Sequence, residues 1–370
     1  MTRKPVHSRG TLRPANARGF SLLELLVAMA VFLIVSGASF TLFQRHQALL
    51  SQEQGLAGLN IGLRNALTQI QMDAVNAANG LVVGAYVPAW PVGVTIVNQN
   101  PGVACNDATT FQYTSTCFDS LNIILADPQT PTCNLSADLN TYNASTVNVI
   151  PSTGASTSNT YASNFKTGDT LLTVNANGTP FTTVTLTANG TAPTNSYITL
   201  SFTKTNSTGI NPQDAVSPPP PNGLMITTHA NATDLGVQYY KNNPTTDWVI
   251  RLAPISYYVD TTDPNDPKLM RKVGGGTADV VMEQVVSFKV GAALVNDWTD
   301  NYYYNASAAS NALGGYASDF TQIRSIRITL MARTTPNGTL PYRNLFDGGP
   351  YQVLGGSVVV NPRNLSMNDQ

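Results

Sequence analysis

Glu24 is the single charged residue between Phe20 and Phe43, a stretch of 24 residues. A carboxylate at mid-membrane costs about 2.5–3.5 kcal/mol on insertion scales, so an acid in such a run is a candidate for pairing or for chemistry. A second candidate is the series Asp260, Asp263 and Asp266 in Asp-Thr-Thr-Asp-Pro-Asn-Asp-Pro, whose oxygens could gather around Ca²⁺. Their spacing is three rather than the two of a helix–loop–helix calcium loop, and no bidentate Glu follows. A polar hairpin turn, in which Asp and Pro serve backbone conformation, accounts for the same residues. His46 and His229 have neither a nucleophile-elbow serine nor a metal-ligating partner at a telling distance. The chain also lacks a phosphate loop and a dinucleotide fingerprint. The expectation is therefore no enzyme, no cofactor and no resident metal.

The element that must carry Glu24 is a helix. About 20 apolar residues cross a bilayer core of roughly 30 Å, so the run from Phe20 to Phe43 is long enough. Ahead of it stand Arg3, Lys4, Arg9, Arg13 and Arg18 with no acid, which predicts a cytoplasmic N-terminus and an outward-facing remainder. A cleaved secretory signal would have an apolar core of only about 7–15 residues. Phe43-Gln44-Arg45-His46 offers no small-x-small cleavage site either. A plain membrane anchor is the simpler alternative. Apolar positions then continue at Leu49, Leu56, Leu59, Leu63, Leu67, Ile70 and Met72, and the spacings of three and four from Leu56 to Ile70 draw one stripe. A single helix is predicted from about Phe20 to about Asn76, its second half packed on a globular head. Gly55, Gly58 and Gly62 interrupt that half at about 1 kcal/mol each relative to alanine. They imply either close packing against a sheet or a stretch able to loosen during assembly.

Gly19-Phe20-Ser21-Leu22-Leu23-Glu24, after a short basic leader and before an apolar helix, resembles the processing motif of type IV prepilins and pseudopilins. The resemblance implies that a membrane prepilin peptidase cuts between Gly19 and Phe20 and methylates the new N-terminus. Phe20 then becomes the methylated first residue and Glu24 the fifth. It also implies that Glu24 meets the Phe20 ammonium of a neighbouring subunit and sets the axial register of the two helices. The freed ammonium lies about 6 Å along the helix from Glu24 at 1.5 Å rise per residue. A charge pair in low dielectric is worth more than one in water, though desolvation offsets much of the gain. The plainer role for Glu24 is to complement the positive helix N-terminus, worth under about 1 kcal/mol where exposed.

The formal net charge of the 370 residues is −1; without the five leader bases, 15 bases face 21 acids, a net of −6. That balance argues against nonspecific nucleic-acid binding, which needs positive charge to displace counterions. Charged residues make up 11% against roughly 25% in typical soluble domains, and Asn, Thr, Ser and Gly fill the gap. Cys105, Cys117 and Cys133 all follow the membrane segment, in a compartment that permits disulfides. Three cannot all pair within one chain. A Cys105–Cys117 bridge would close a short loop worth somewhat under about 3 kcal/mol on the chain-entropy model. The alternative is that none pairs.

The expected organisation is a leader over 1–19, the transmembrane and amphipathic helix over 20–78, a Thr/Asn/Ser-rich β region over 79–216, a proline-rich linker over 217–221, and a C-terminal antiparallel β domain over 222–370. Within the third stretch, strands are predicted at 121–125, 170–174 and 197–200, while 134–164 has little pattern. In the last, Val286, Phe288 and Val290 alternate with polar residues, as do Ile326, Ile328 and Leu330. That period of two predicts antiparallel strands with one wet face. Runs at 248–252, 255–259 and 357–360 add more. Tyr302-Tyr303-Tyr304 near Trp298 suit an aromatic turn over a sheet edge, or a sticky surface. The succession Tyr257-Tyr258-Val259-Asp260, Leu269-Met270-Arg271, Glu283 to Phe288, Ile326 to Leu330 and Asn361-Pro362-Arg363-Asn364-Leu365 resembles the C-terminal sheet of PilW-type minor pilins, and is similar to that of the J-type pseudopilin of type II secretion.

The fold class expected is α+β and pilin-like: a long N-terminal hydrophobic helix, then an antiparallel β-sheet head with an inserted Thr/Asn-rich β region. The resemblance implies a minor pilin in the inner membrane, its head periplasmic and later in the pilus or at the cell surface. Its partners would be prepilin peptidase, other pilin or pseudopilin subunits and the assembly platform. A tip pseudopilin is the nearest alternative, and a membrane-anchored adhesin is an alternative of another class.

Overall fold

The computed structural model describes residues 21–81, 93–97, 99, 109–138, 145–174, 181–194, 196–202, 241, 247–294, 323–335 and 343–363. The leader, the 217–221 linker, Gly19, Phe20, Cys105, His229 and the 302–304 tyrosines lie outside them. Helix α1 runs Leu22–Val75 without a proline. The chain divides into two units, one up to Gly55 and one from Leu56 onward.

From Leu22 to Phe43 α1 is apolar around most of its circumference, and those side chains are exposed: Leu22, Phe32 and Ile34 are each more than two-thirds exposed. In the second unit the helix is one-sided. Leu59, Leu63, Ala66, Ile70 and Ala74 are buried at spacings of four, three, four and four, a stripe down one face. Leu49 and Met72 fall outside that stripe and are exposed. Gly58 and Gly62 do not mark tight packing. A methyl group on Gly58 would meet nothing within 4 Å, and one on Gly62 would make an ordinary 3.7 Å contact with Met282. Three residues past the helix end, Ala78 turns to φ 60° and gives its N–H to the Ile124 carbonyl. Gly93 lies so close to Ala78 that any side chain there would collide with it.

Fifteen strands form three antiparallel sheets among the described residues. The first sheet, in the order β1-β2-β10-β11-β12, contains β1 (Val94–Val97), β2 (Ser120–Ile123), β10 (Ile255–Asp260), β11 (Lys268–Val273) and β12 (Ala278–Met282). The second, β13-β14-β15, contains β13 (Val285–Leu294), β14 (Ile323–Arg333) and β15 (Val353–Val360). The third has the order β6-β5-β9-β3-β4-β8-β7. Its members are β3 (Cys133–Leu135), β4 (Thr146–Pro151), β5 (Thr170–Val174), β6 (Phe181–Thr185), β7 (Thr191–Thr194), β8 (Tyr197–Ser201) and β9 (Trp248–Leu252). The predicted strands at 170–174, 197–200, 248–252, 255–259, 286–290, 326–331 and 357–360 all fall on these elements, and that at 121–125 overlaps β2, which ends at Ile123.

The two β stretches interleave instead of standing as separate domains. β2, from the Thr/Asn-rich stretch, pairs with β10, and β9, from beyond the proline run, lies between β5 and β3. Residues 134–164, which show little pattern, contain most of β3, all of β4 and the short helix α2 (Ser158–Ala162).

The helix stripe shares one core with the first two sheets, including Leu121, Ile123, Tyr257, Phe288, Ile328 and Leu330. Each such large apolar side chain contributes about 1.5–3 kcal/mol on burial. A second core lies under the third sheet, with Leu135, Val149, Phe165, Ile198 and Leu200. The fold is thus α+β, a long N-terminal helix followed by antiparallel sheets.

Candidate functional site

Ser21 and Glu24 open α1 with a reciprocal pair of hydrogen bonds. The Ser21 N–H donates to Glu24 Oε2 at 3.0 Å, and the Glu24 N–H donates to Ser21 Oγ at 3.2 Å. The Ser21 carbonyl takes the first intrahelical bond, from Leu25 at 3.2 Å. This is a capping box, which satisfies donors that a helix start leaves without partners. The simpler expectation for Glu24, that it complements the helix N-terminus, thus has a specific geometry.

From Leu22 to Phe43 the helix covers about 33 Å at 1.5 Å per residue, a bilayer core's thickness. It is the one helix among the described residues long and apolar enough to cross a membrane, and no part of its apolar window is buried by the protein. His46, farther along, is exposed.

The remaining candidates do not converge on a site. Asp260 accepts from the N–H and hydroxyl of Thr262, Asp263 from the N–H of Asn265 at 3.0 Å, and Asp266 from Lys268 at 3.1 Å and the Gln284 amide at 2.9 Å. Together they fill the turn of the β10–β11 hairpin. Among the described residues no group of three or more His, Cys, Asp or Glu side chains could hold a metal. Cys117 is buried, and its candidate partner Cys105 lies outside the described residues. Cys133 is a buried free thiol whose pKa burial pushes up to about 12, so it is a poor nucleophile.

The head is tied by charged residues that sequence reasoning did not single out. Asp73, near the end of α1, accepts two bonds from Arg271, at 2.7 and 3.3 Å, and one from the Tyr257 hydroxyl, fastening the helix to the first sheet. Asp119 is 1% exposed and accepts from Lys289 Nζ at 3.0 Å, the Val290 N–H at 3.0 Å and the Gln99 N–H at 2.9 Å. Arg251 on β9 bridges Asp127 and Asp169.

Arg333 is 2% exposed and donates to Gln284, the Phe111 carbonyl and the Asn265 carbonyl at 2.8, 2.9 and 2.6 Å. Its guanidinium lies 4.7 Å from the Tyr351 ring centre and 5.5 Å from that of Tyr113. Both tyrosine hydroxyls donate to Asp347. Gly349 packs against the Tyr351 ring at a distance no side chain could share.

This network sets a pH window. Burial alone would raise the Asp347 carboxyl, but hydrogen bonds from Tyr113, Tyr351, the Gly349 N–H and Asn344 hold it below the ordinary value. The stabilisation is present above the unfolded carboxylate pKa of about 4 and is lost as pH falls through the depressed folded value. Burial, then the bond to Asp347, pushes Tyr351 up to about 12, and the same two causes raise Tyr113. Stabilisation from keeping the phenols protonated is present below their unfolded pKa of about 10 and is lost as pH rises toward the folded values. Urea midpoints across pH should show a plateau that falls on both sides; a midpoint unchanged to pH 3 would count against the acid limb.

Residues 14–40 match the family described as the prokaryotic N-terminal methylation motif. The match spans Gly19, Phe20, Ser21 and Glu24 and most of the apolar run, and supports a place in the pilin superfamily. No curated protein matches the chain at a significant level. Among solved structures the chain is similar to a type IV-like pilin from Thermus thermophilus, at 16% identity over 31% of this chain and 69% of that one, with a TM-score of 0.18. A superposition that loose carries no weight, and the motif match is confined to residues 14–40.

Proposed function

We propose that this chain is a minor pilin. Prepilin peptidase cuts between Gly19 and Phe20 and methylates the Phe20 amine. The apolar helix holds the protein in the inner membrane as a single pass with its N-terminus cytoplasmic and its head periplasmic. Glu24 then pairs with the Phe20 amine of a neighbouring subunit, and the chain joins a type IV pilus at low copy, priming or capping it through the helix. The observation that carries the reading is the motif match over residues 14–40, with Glu24 near the start of a helix whose membrane-length apolar window the protein leaves uncovered.

The minor role is favoured by size: a head of some 290 residues would crowd a repeating filament. The succession of residue patterns from Tyr257 to Leu365 favours a PilW-type subunit, with the J-type pseudopilin of a type II secretion tip as the second reading because it is similar over the same succession. Shearing the cells tests the proposal. A minor pilin is recovered with surface filaments at a small fraction of the major subunit. Recovery only with a secretion complex supports the second reading, and recovery only in membranes leaves an anchored adhesin.

A further inference from the structure

We infer that the outer edge of β15 is an assembly surface, taken by an uncharged strand of a neighbouring subunit that runs opposite to the helices. The inference rests on the minor-pilin reading above. In an antiparallel ladder the N–H and C=O of one residue point to the same edge, and those of the next residue to the other. On β13 the Phe288 carbonyl and the Val290 N–H point away from β14, to Asp119. Lys289 therefore faces β14, where it pairs with Thr329, and the adjacent Ile328 faces β15, where it pairs with Val358. That parity leaves the backbone groups of Val353, Gly355, Ser357 and Val359 on the outer edge of an outer strand. No hydrogen bond among the described residues engages them.

Edge strands are normally guarded by charge, proline, shortness, a bulge or a cover. β7 carries Pro193 and a register shift, β12 carries Asp279 beside a shift at Leu269/Met270, and β1 has only four residues. The segment holding Asp119 covers β13. β15 has eight residues, Val-Leu-Gly-Gly-Ser-Val-Val-Val, with no charge, no proline and an unbroken register. Such an edge is a template for another strand. Direction decides which. Gly356 packs on Leu63 and Leu67, and the Arg363 N–H donates to the Val75 carbonyl at 3.4 Å, so β15 runs the same way as α1. Two β15 strands paired antiparallel would set their helices in opposite directions, which one membrane does not allow. A neighbour of like orientation must instead offer a strand running against its own helix. β1 shows that such a head has one: it starts beside Ala78, past the helix end, and runs antiparallel to β2, which arrives there.

The test compares Ser357→Pro with Ser357→Ala in the full chain expressed in its own host. Both lose an exposed hydroxyl, but only proline loses the outward N–H, and the β14 ladder keeps its bonds. Mass spectrometry of the N-terminal peptide reads processing, and the sheared fraction reads incorporation. Ala should incorporate like the unsubstituted chain and Pro at least about fivefold less, the factor of one ladder hydrogen bond. Equal incorporation, with Phe20 as first residue, overturns the proposal and leaves the prepilin reading standing. Where Pro lowers the denaturant midpoint in detergent, Ser357→Lys decides in its place, and incorporation like that of Ala overturns the proposal. Amide exchange reads the contact itself. Gly355, Ser357 and Val359 should exchange fast in the detergent-held chain and slowly in the sheared fraction, with Gly356 and Val358 slow in both. Outer amides equally fast in both overturn the proposal, as do outer amides already slow in a detergent dimer, where a second copy fills the edge. A first residue other than Phe20 in the unsubstituted chain overturns both readings.

Discussion

Glu24→Ala is expected to remove the chain from the assembled fibre while leaving it inserted in the membrane and cut at Gly19. Insertion becomes easier, because the only charge in the apolar run is gone. Assembly becomes harder, because a neighbour's Phe20 ammonium then enters an apolar contact without a counter-charge. Removing one partner of a buried ion pair costs about 3–5 kcal/mol, more than two orders of magnitude in an association constant. Recovery in the sheared fraction should therefore drop below detection at unchanged membrane abundance.

Glu24→Gln separates the two roles of the side chain. Glutamine serves as well as glutamate in a capping box, so the bond to the Ser21 N–H can persist while the charge is lost. If charge pairing joins the subunits, Gln should fail as Ala does. Gln assembling like the unsubstituted chain would reduce Glu24 to a helix cap.

Asp119→Ala should be the most damaging single change in the head. The carboxylate is 1% exposed and serves one ammonium and two backbone N–H groups, from Lys289, Val290 and Gln99. Its own N–H donates to the Phe288 carbonyl at 3.0 Å, so with the bonds from Lys289 and Val290 the segment before β2 is bonded to β13 three times through this residue. Alanine leaves three donors without their acceptor, and breaking such a buried pair costs about 3–5 kcal/mol. A domain's whole stability is typically about 5–15 kcal/mol, so the loss would be a large share of it. Lys289→Ala should cost less, since Asp119 keeps its two backbone donors. Denaturant midpoints of the full chain in detergent measure both; a loss under about 1 kcal/mol for Asp119→Ala would show that the charge was not structurally committed.

Much of this was legible in the residue order. Glu24 stood out because nothing else near it is charged, and the period-two runs at 286–290 and 326–331 fell on long strands whose inner face is buried. The helix stripe from Leu56 to Ile70 was equally plain, and Leu59, Leu63 and Ile70 of it are buried. Other features were not. β3 and β4 are short alternations among Thr, Ser and Asn, the composition of the loops around them. The insertion of β9 between β5 and β3 depends on partners far away in the chain, which periodicity cannot name. The charged ties have the same origin: Arg271 is 198 residues from Asp73, and Lys289 is 170 from Asp119. Each looks like a surface charge until its partner is found. The glycines of α1 misled for the opposite reason, because composition suggested close packing at Gly58 where the fold leaves open space.

Everything proposed for assembly depends on an amine that the translated chain does not have. Mass spectrometry of the N-terminal peptide from protein isolated from its own host is the direct measurement. The account predicts a peptide beginning at Phe20 and one methyl group heavier than its sequence. A peptide that still carries Met1, or one that begins at any other residue, would contradict it.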